Sequence, residues 1–264
     1  PAHSAKPEFP AFFRRERSGP SMKSLRIVFH DEFLVFRKKR QDLEVDYPLT
    51  RIAPVKDILE ALGVPHTEVG ALVSNRKNLD FQSRPSPDHP LFVFPVPRPF
   101  DIRKASFLRP RPFPVFRFLV DENVVKLGTF LRMLGLDTVF YPGATDSEIA
   151  KKKKKTERVV LSKDIGLFKR KAIVYGRYVR AVHPVDQVRE VADFFDLERP
   201  FRLFSRCLVC NMPLVPVSKS SILHRLEPKT KLYFQEFSLC PACDKIFWKG
   251  SHHEHMMDVL ESIP

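Results

Sequence analysis

Four cysteines form two hooks, Cys207 with Cys210 and Cys240 with Cys243, and the chain holds no other cysteine. Two residues between paired cysteines let one tight turn aim both thiolates at a single ion, so the two hooks together predict a tetrahedral Zn²⁺ site. Two structural disulfides are the rival reading, but residues 1–21 carry no hydrophobic signal core and a 264-residue chain needs no stapling. Four thiolates leave no open position for a water nucleophile, which makes this metal structural. His252, His253 and His255 follow the second hook and are read as exposed or hydrogen-bonded imidazoles, with metal ligation as the alternative.

A second set of residues with chemical potential is acidic. Asp121 ends the apolar run 118–120, Asp146 and Glu148 follow the run ending at Tyr141, and Asp164 follows the run 159–162. Carboxylates at separate strand ends can converge on a hard divalent cation, Mg²⁺ or Mn²⁺, which takes oxygen ligands. Each acid also has a plainer role. Asp121 can cap a helix, Thr145 to Glu148 fits a capping box, and Asp164 can order a turn.

These residues need elements to hold them. Apolar alternation predicts strands at 24–29 and 42–47, helical spacing of Val55, Ile58, Leu59 and Leu62 predicts a helix ended by Gly63, and further strands follow at 70–74 and 91–96. The order β-β-α-β-β points to a small β-grasp domain over 22–96, preceded by a disordered leader or tail over 1–21. Residues 97–114 hold five prolines and five Arg or Lys, and read as an extended basic linker up to 115. Downstream, strands at 117–121, 138–141, 158–162 and 178–182 alternate with helices, one carrying Val124, Leu127, Leu131 and Leu134 before Gly135, another at 146–155 and a third over 185–195. That alternation predicts an α/β domain with a parallel sheet over 116–202, and the zinc module takes 203–264.

Forty-five Lys and Arg against 31 Asp and Glu give a net charge of +14, so polyanions, RNA above all, are the expected partners. Lys126, Arg132, Lys163, Lys169 and Arg170 are the candidate phosphate contacts near the acids, against a reading as the polar sides of amphipathic helices. The run 151–155 is either a phosphate-binding segment or a solvated helix end. Phe100, Phe107 and Phe113 can stack bases or pack the linker onto the domains. Apolar runs are too short to span a bilayer, and the cytoplasm is the expected compartment.

Residues 116–256 resemble the Mut7-C ribonuclease domain, a relative of PIN-domain nucleases with an attached zinc ribbon. The stretches 118–123, 127–138, 159–167, 204–211, 240–243 and 247–252 carry the likeness, and 23–96, especially 55–69, resemble the ubiquitin-like domain that often precedes it. The resemblance implies a PIN-like fold and metal-dependent cleavage of RNA, with single strands the expected substrate and ribosome or tRNA association a further expectation. It places Asp121 first among the family acids, with Asn123 beside it, Asp146 or Glu148 in the second acidic region, and Asp164 after the third strand. The family often has acids before a proline at the fourth place. Here Val182 and His183 precede Pro184, and Asp186 is the nearest substitute. A non-catalytic RNA- or ribosome-binding protein is the alternative function, and a toxin-like RNase a third. Sulfur or protein transfer is disfavoured, because Val93 to Pro97 runs on without a terminal Gly-Gly.

Overall fold

The computed structural model describes residues 23–37, 42–145, 147–149, 157–197, 200–250 and 257. Asp146, the lysine run 151–155, the leader 1–21 and His252, His253 and His255 lie outside them. Among the described residues no helix is long and apolar enough to cross a membrane.

The first unit is a five-stranded sheet with one helix. Strands β1 (Ser24–Phe29), β2 (Glu44–Pro48), β3 (Val69–Ser74), β4 (Lys77–Asn78) and β5 (Leu91–Pro95) stand in the order β2-β1-β5-β3-β4. β1 and β5 are parallel neighbours at the centre, and β2 and β3 flank them antiparallel. Strict alternation puts Leu25, Ile27 and Phe29 on the inner face with Leu91 and Val93. There they meet Val55, Ile58 and Leu59 of α1 (Val55–Ala61). Gly63 ends that helix at φ 92°, and a Cβ there would lie 2.9 Å from the Phe36 carbonyl oxygen. This is the β-grasp arrangement that the β-β-α-β-β order predicts.

The second unit is a four-stranded, wholly parallel sheet. β6 (Arg117–Val120), β7 (Asp137–Phe140), β8 (Val159–Ser162) and β9 (Gly176–Tyr178) stand in the order β7-β6-β8-β9. Both faces are covered, which is why all four residues of β8 are buried. On one face Phe118, Val120, Val159 and Leu161 pack with Leu127 and Leu131 of α2 (Val125–Met133) and Val188 and Val191 of α4 (Pro184–Phe195). On the other, Leu119 and Val160 meet Leu167 and Phe168 of the short α3 (Ile165–Phe168). The last strand is expected over 178–182 but covers Gly176–Tyr178. The apolar residues beyond Tyr178 belong to the turn into α4, whose carbonyls at Ala181 and Val182 accept from Gln187.

Residues 97–115 are not a loose linker. Ile102, Leu108 and Phe113 are buried, and Phe100 stacks near Tyr175 with centroids 6.0 Å apart. Arg109 is 2% exposed and donates to the carbonyls of His66, Thr67 and Val69 in the first unit and Val174 in the second. Burial brings its guanidinium down to about 10, and it keeps its charge at neutral pH. Phe100 and Phe113 therefore pack the segment inward, while Phe107 stays 63% exposed. Glu68 strengthens the same seam, accepting from Arg177 at 2.7 Å and from the Tyr178 amide at 2.7 Å.

The third unit is a small antiparallel sheet of β10 (Val215–Val217), β11 (Phe237–Leu239) and β12 (Ile246–Phe247), with helices α5 (Lys219–Ile222) and α6 (Pro228–Tyr233) between the first two strands. Ile222, Leu226 and Phe237 form its small core. So few apolar residues cannot hold a module of this size without a further constraint.

Candidate metal centre and acidic site

The constraint is the cysteine cluster. Sulfur atoms of Cys207, Cys210, Cys240 and Cys243 all lie within 4.8 Å of one another, with Cys207 to Cys243 at 3.5 Å and Cys210 to Cys240 at 3.3 Å. Four thiolates at about 2.3 Å from one tetrahedral Zn²⁺ would stand about 3.8 Å apart, so the set fits that ion. The two hooks share one backbone design. In each, the first cysteine's carbonyl accepts the amide four residues on, Asn211 or Asp244, at 2.9 Å, and that residue has positive φ, 70° and 58°. Burial opposes ionisation of Cys240. The amides of Cys243 and Ala242, with the neighbouring thiols, outweigh it and bring Cys240 down to about 6.

The first hook is bolted to the parallel-sheet unit. Arg132 on α2 donates to the carbonyls of Thr138, Leu208 and Val209 at 2.8–3.0 Å. Asn211 donates to Asp137 at 2.7 Å and accepts from the Thr138 amide at 3.0 Å. Burial works against the Asp137 carboxylate, but hydrogen bonds from Arg158 and Asn211 hold it below the ordinary range. Arg132 is thus not one of the phosphate-contacting cations that the sequence suggests. It is 8% exposed and engaged with backbone carbonyls. Arg132→Met should lower stability by about 2–3 kcal/mol, because buried carbonyls lose their donor. Thermal melts of the zinc-loaded protein check this, and an unchanged melt would remove the seam's importance.

The acids lie at the opposite feature of the sheet. After β6 the chain turns to α2 on one face, and after β8 it turns to α3 on the other, so the carboxyl ends of these adjacent strands diverge into a crevice. Ser162, the fully buried last residue of β8, is the hub there. Its hydroxyl donates to Asp121 Oδ2 at 2.7 Å and accepts from the Asp164 amide at 2.8 Å. Asn123 donates to the same Asp121 oxygen at 2.8 Å, and its carbonyl accepts from the Lys163 amide at 2.8 Å. Asp121 Oδ1 accepts from the Glu122 amide, and Asp164 Oδ1 from the Gly166 amide, each capping the turn that it begins. Asp121, Asn123 and Asp164 are thereby joined in one network.

The remaining candidates stand elsewhere. Glu148 accepts from the Thr145 amide at 2.8 Å and its hydroxyl at 2.9 Å, the capping-box geometry. Asp186 is exposed in the first turn of α4 and pairs with Arg189 at 2.9 Å. Among the described residues, the four cysteines are the one cluster of three or more His, Cys, Asp or Glu side chains placed to hold a metal ion. Lys126, Lys169 and Arg170 are exposed and Lys163 half-buried, its ammonium 3.5 Å from the Arg180 carbonyl oxygen. Three polar residues escape the sequence reading. Ser162 sits in an apolar run and gives no signal. Glu122 bridges to the Gly143 amide at 2.7 Å. Glu190 on α4 accepts the amides of Arg180 and Ala181, just past β9, at 2.8 Å.

An α/β unit with a PIN-like parallel sheet, acids at its switch point and a four-cysteine ribbon defines a nuclease-like class. Residues 116–260 match the Mut7-C RNAse domain family and residues 22–101 the Mut7-C ubiquitin family, so the chain belongs to the Mut7-C RNAse domain family. No curated protein and no solved structure matches it.

Proposed function

We propose that the protein is a divalent-cation-dependent ribonuclease hydrolysing single-stranded RNA at the β6–β8 crevice. The observation that carries this reading is the network at two adjacent strand ends in which the buried Ser162 hydroxyl donates to the Asp121 carboxylate and accepts from the Asp164 backbone amide, with Asn123 donating to the same Asp121 oxygen. Two carboxylates with all-oxygen donors suit Mg²⁺ or Mn²⁺, which commonly use one or two protein carboxylates beside water and substrate phosphate. When bound, such a cation supplies Lewis acidity for attack of water on a phosphodiester. Asp121 and Asp164 provide the oxygens, with Asp146 as the third acid that the family pattern supports. Ser162 and Asn123 hold Asp121 Oδ2 and the Glu122 amide holds Oδ1, which fixes the orientation of the carboxylate. Hydrolysis of pooled RNA with Mn²⁺, with and without chelator, beside Asp121→Asn, tests the reading.

Lys126, Lys163, Lys169 and Arg170 lie within six residues of Asp121 or Asp164 on segments that follow β6 and β8, and they suit a phosphate backbone. Four phosphate contacts give a slope of log affinity against log salt of about −3 for single strands. Lys126→Ala with Lys169→Ala should flatten it by about 1.4. Anisotropy of a labelled oligonucleotide at several salt concentrations measures this, and a flat salt response would remove these cations from the RNA path.

A second reading is an RNA- or ribosome-binding protein without turnover. It draws on the capping bonds that already occupy Asp121 and Asp164 and on the engagement of Glu190 with backbone amides. RNA binding that survives chelation, with no hydrolysis under Mn²⁺, would favour it.

A further inference from the structure

The ubiquitin-like unit grips one segment of its neighbour, residues 165–174, which begins directly after Asp164. Ile165 packs against the β-grasp core. Lys56 Nζ on α1 donates to the Lys169 carbonyl at 3.3 Å, where the short α3 ends. His66 Nε2 lies 2.9 Å from the Ile173 carbonyl oxygen, which can only accept, so that nitrogen carries a proton. Arg109 donates to the Val174 carbonyl at 3.3 Å. Glu60 organises the pair from behind, its Oε1 facing both Lys56 Nζ and His66 Nδ1, and Phe81 covers the imidazole edge-on. Lys56 and His66 are 8% and 5% exposed.

Burying three ionisable side chains in a domain seam is costly, and apolar residues of similar size would bind the two units at least as well. What directed donors add is register: they fix where the carbonyls of residues 169 and 173 stand. That register reaches the acidic crevice through one bond. Asp164 Oδ1 accepts the Gly166 amide at 2.7 Å, so the carboxylate is referenced to the gripped segment. A Cβ on Gly166 would come within 3.1 Å of that oxygen, and glycine leaves the carboxylate room to fold over the turn.

We infer that the ubiquitin-like unit is part of the active-site scaffold, with Lys56 and His66 as positioning residues that hold the segment after β8 and, through it, the Asp164 carboxylate. This rests on the nuclease reading for its consequence, but the grip itself is measurable without activity. The test compares Lys56→Met and His66→Ala with Val45→Ala, which trims the same β-grasp core on the edge strand β2 and removes no donor to residues 165–174. Hydrogen–deuterium exchange over 163–174 should quicken about tenfold in the seam variants, the effect of losing one buried hydrogen bond. It should stay at the wild-type rate in Val45→Ala. The Mn²⁺ concentration for half-maximal hydrolysis should rise by up to about tenfold in the seam variants, while saturating rates change less. His66→Gln keeps a donor, should retain most of the protection, and replaces His66→Ala if that variant does not fold. Wild-type exchange in both seam variants, or equal loosening in Val45→Ala, would overturn the inference. Mn²⁺ binding followed by electron paramagnetic resonance separates the two claims. If the wild type and Asp164→Asn bind Mn²⁺ alike, the nuclease reading fails, and the exchange rates still decide whether the seam holds the segment.

Discussion

Asp121→Asn and Asp164→Asn should each lower Mn²⁺-dependent RNA hydrolysis by more than about 100-fold while zinc content and melting temperature stay close to wild type. Outer partners of a metal commonly cost about 10–100-fold when removed, and a direct carboxylate ligand should cost more. Asparagine keeps the volume and one acceptor oxygen, so the caps onto Glu122 and Gly166 can persist, while at 121 the new amide nitrogen replaces the acceptor of Asn123 and Ser162, which must turn locally. Ser162→Ala removes the shared hydroxyl between Asp121 and Asp164 without touching either acid. It should behave as an outer partner, about 10–100-fold down, with a raised Mn²⁺ requirement. Glu148→Gln is the contrast, since glutamine can still reach the Thr145 amide and should leave the rate nearly unchanged. Initial rates across a Mn²⁺ titration, with melts beside them, rank the four. Wild-type rates in both Asp variants would move the function to RNA binding without turnover.

That ranking depends on contacts of unequal legibility. The alternation of Leu25, Ile27 and Phe29, the helical stripe ending at Gly135 and the cysteine hooks are local signals, and local periodicity was enough to build both sheets from them. The positions of Asp121 and Asp164 are legible because a carboxylate just past an apolar run stands out. That of Ser162 is not, because a small hydroxyl residue closing a buried strand looks like any strand end until Asp121 arrives from β6. The burial of Arg132 is hidden for a related reason. Its neighbours mark an amphipathic helix, but what covers its polar side is the knuckle at Leu208 and Val209, far along the chain. Proline and arginine content made 97–115 read as extended linker, although Ile102, Leu108 and Phe113 carried the burial signal. Pairings such as Glu68 with Arg177 have no local trace at all, because each charge is acceptable on a surface until the two units close.

Removing the zinc should have the largest effect on stability, and it should not stay within the ribbon. Structural Zn²⁺ in small modules contributes about 10–16 kcal/mol of binding free energy that is also folding free energy. The ribbon's own core is only Ile222, Leu226 and Phe237 with their partly buried neighbours, too little to stand alone. Cys207→Ser or Cys243→Ser should therefore lower zinc from about one ion per chain and unfold 203–250 at ordinary temperature. Loss of the first hook reaches further. Once 207–211 loosens, Arg132 loses two carbonyl partners and Asp137 loses Asn211, leaving a buried guanidinium and a carboxylate less satisfied at the end of α2 and the start of β7. The second hook makes no such bonds to the parallel sheet among those described. Hydrogen exchange should accordingly rise in 130–140 for Cys207→Ser, and less for Cys243→Ser at equal zinc loss. Metal analysis and peptide-resolved exchange measure both quantities. A zinc-free protein that stays folded with two disulfides would defeat the zinc assignment, and equal exchange in 130–140 for the two variants would defeat the seam as the route by which the ribbon supports the nuclease-like sheet.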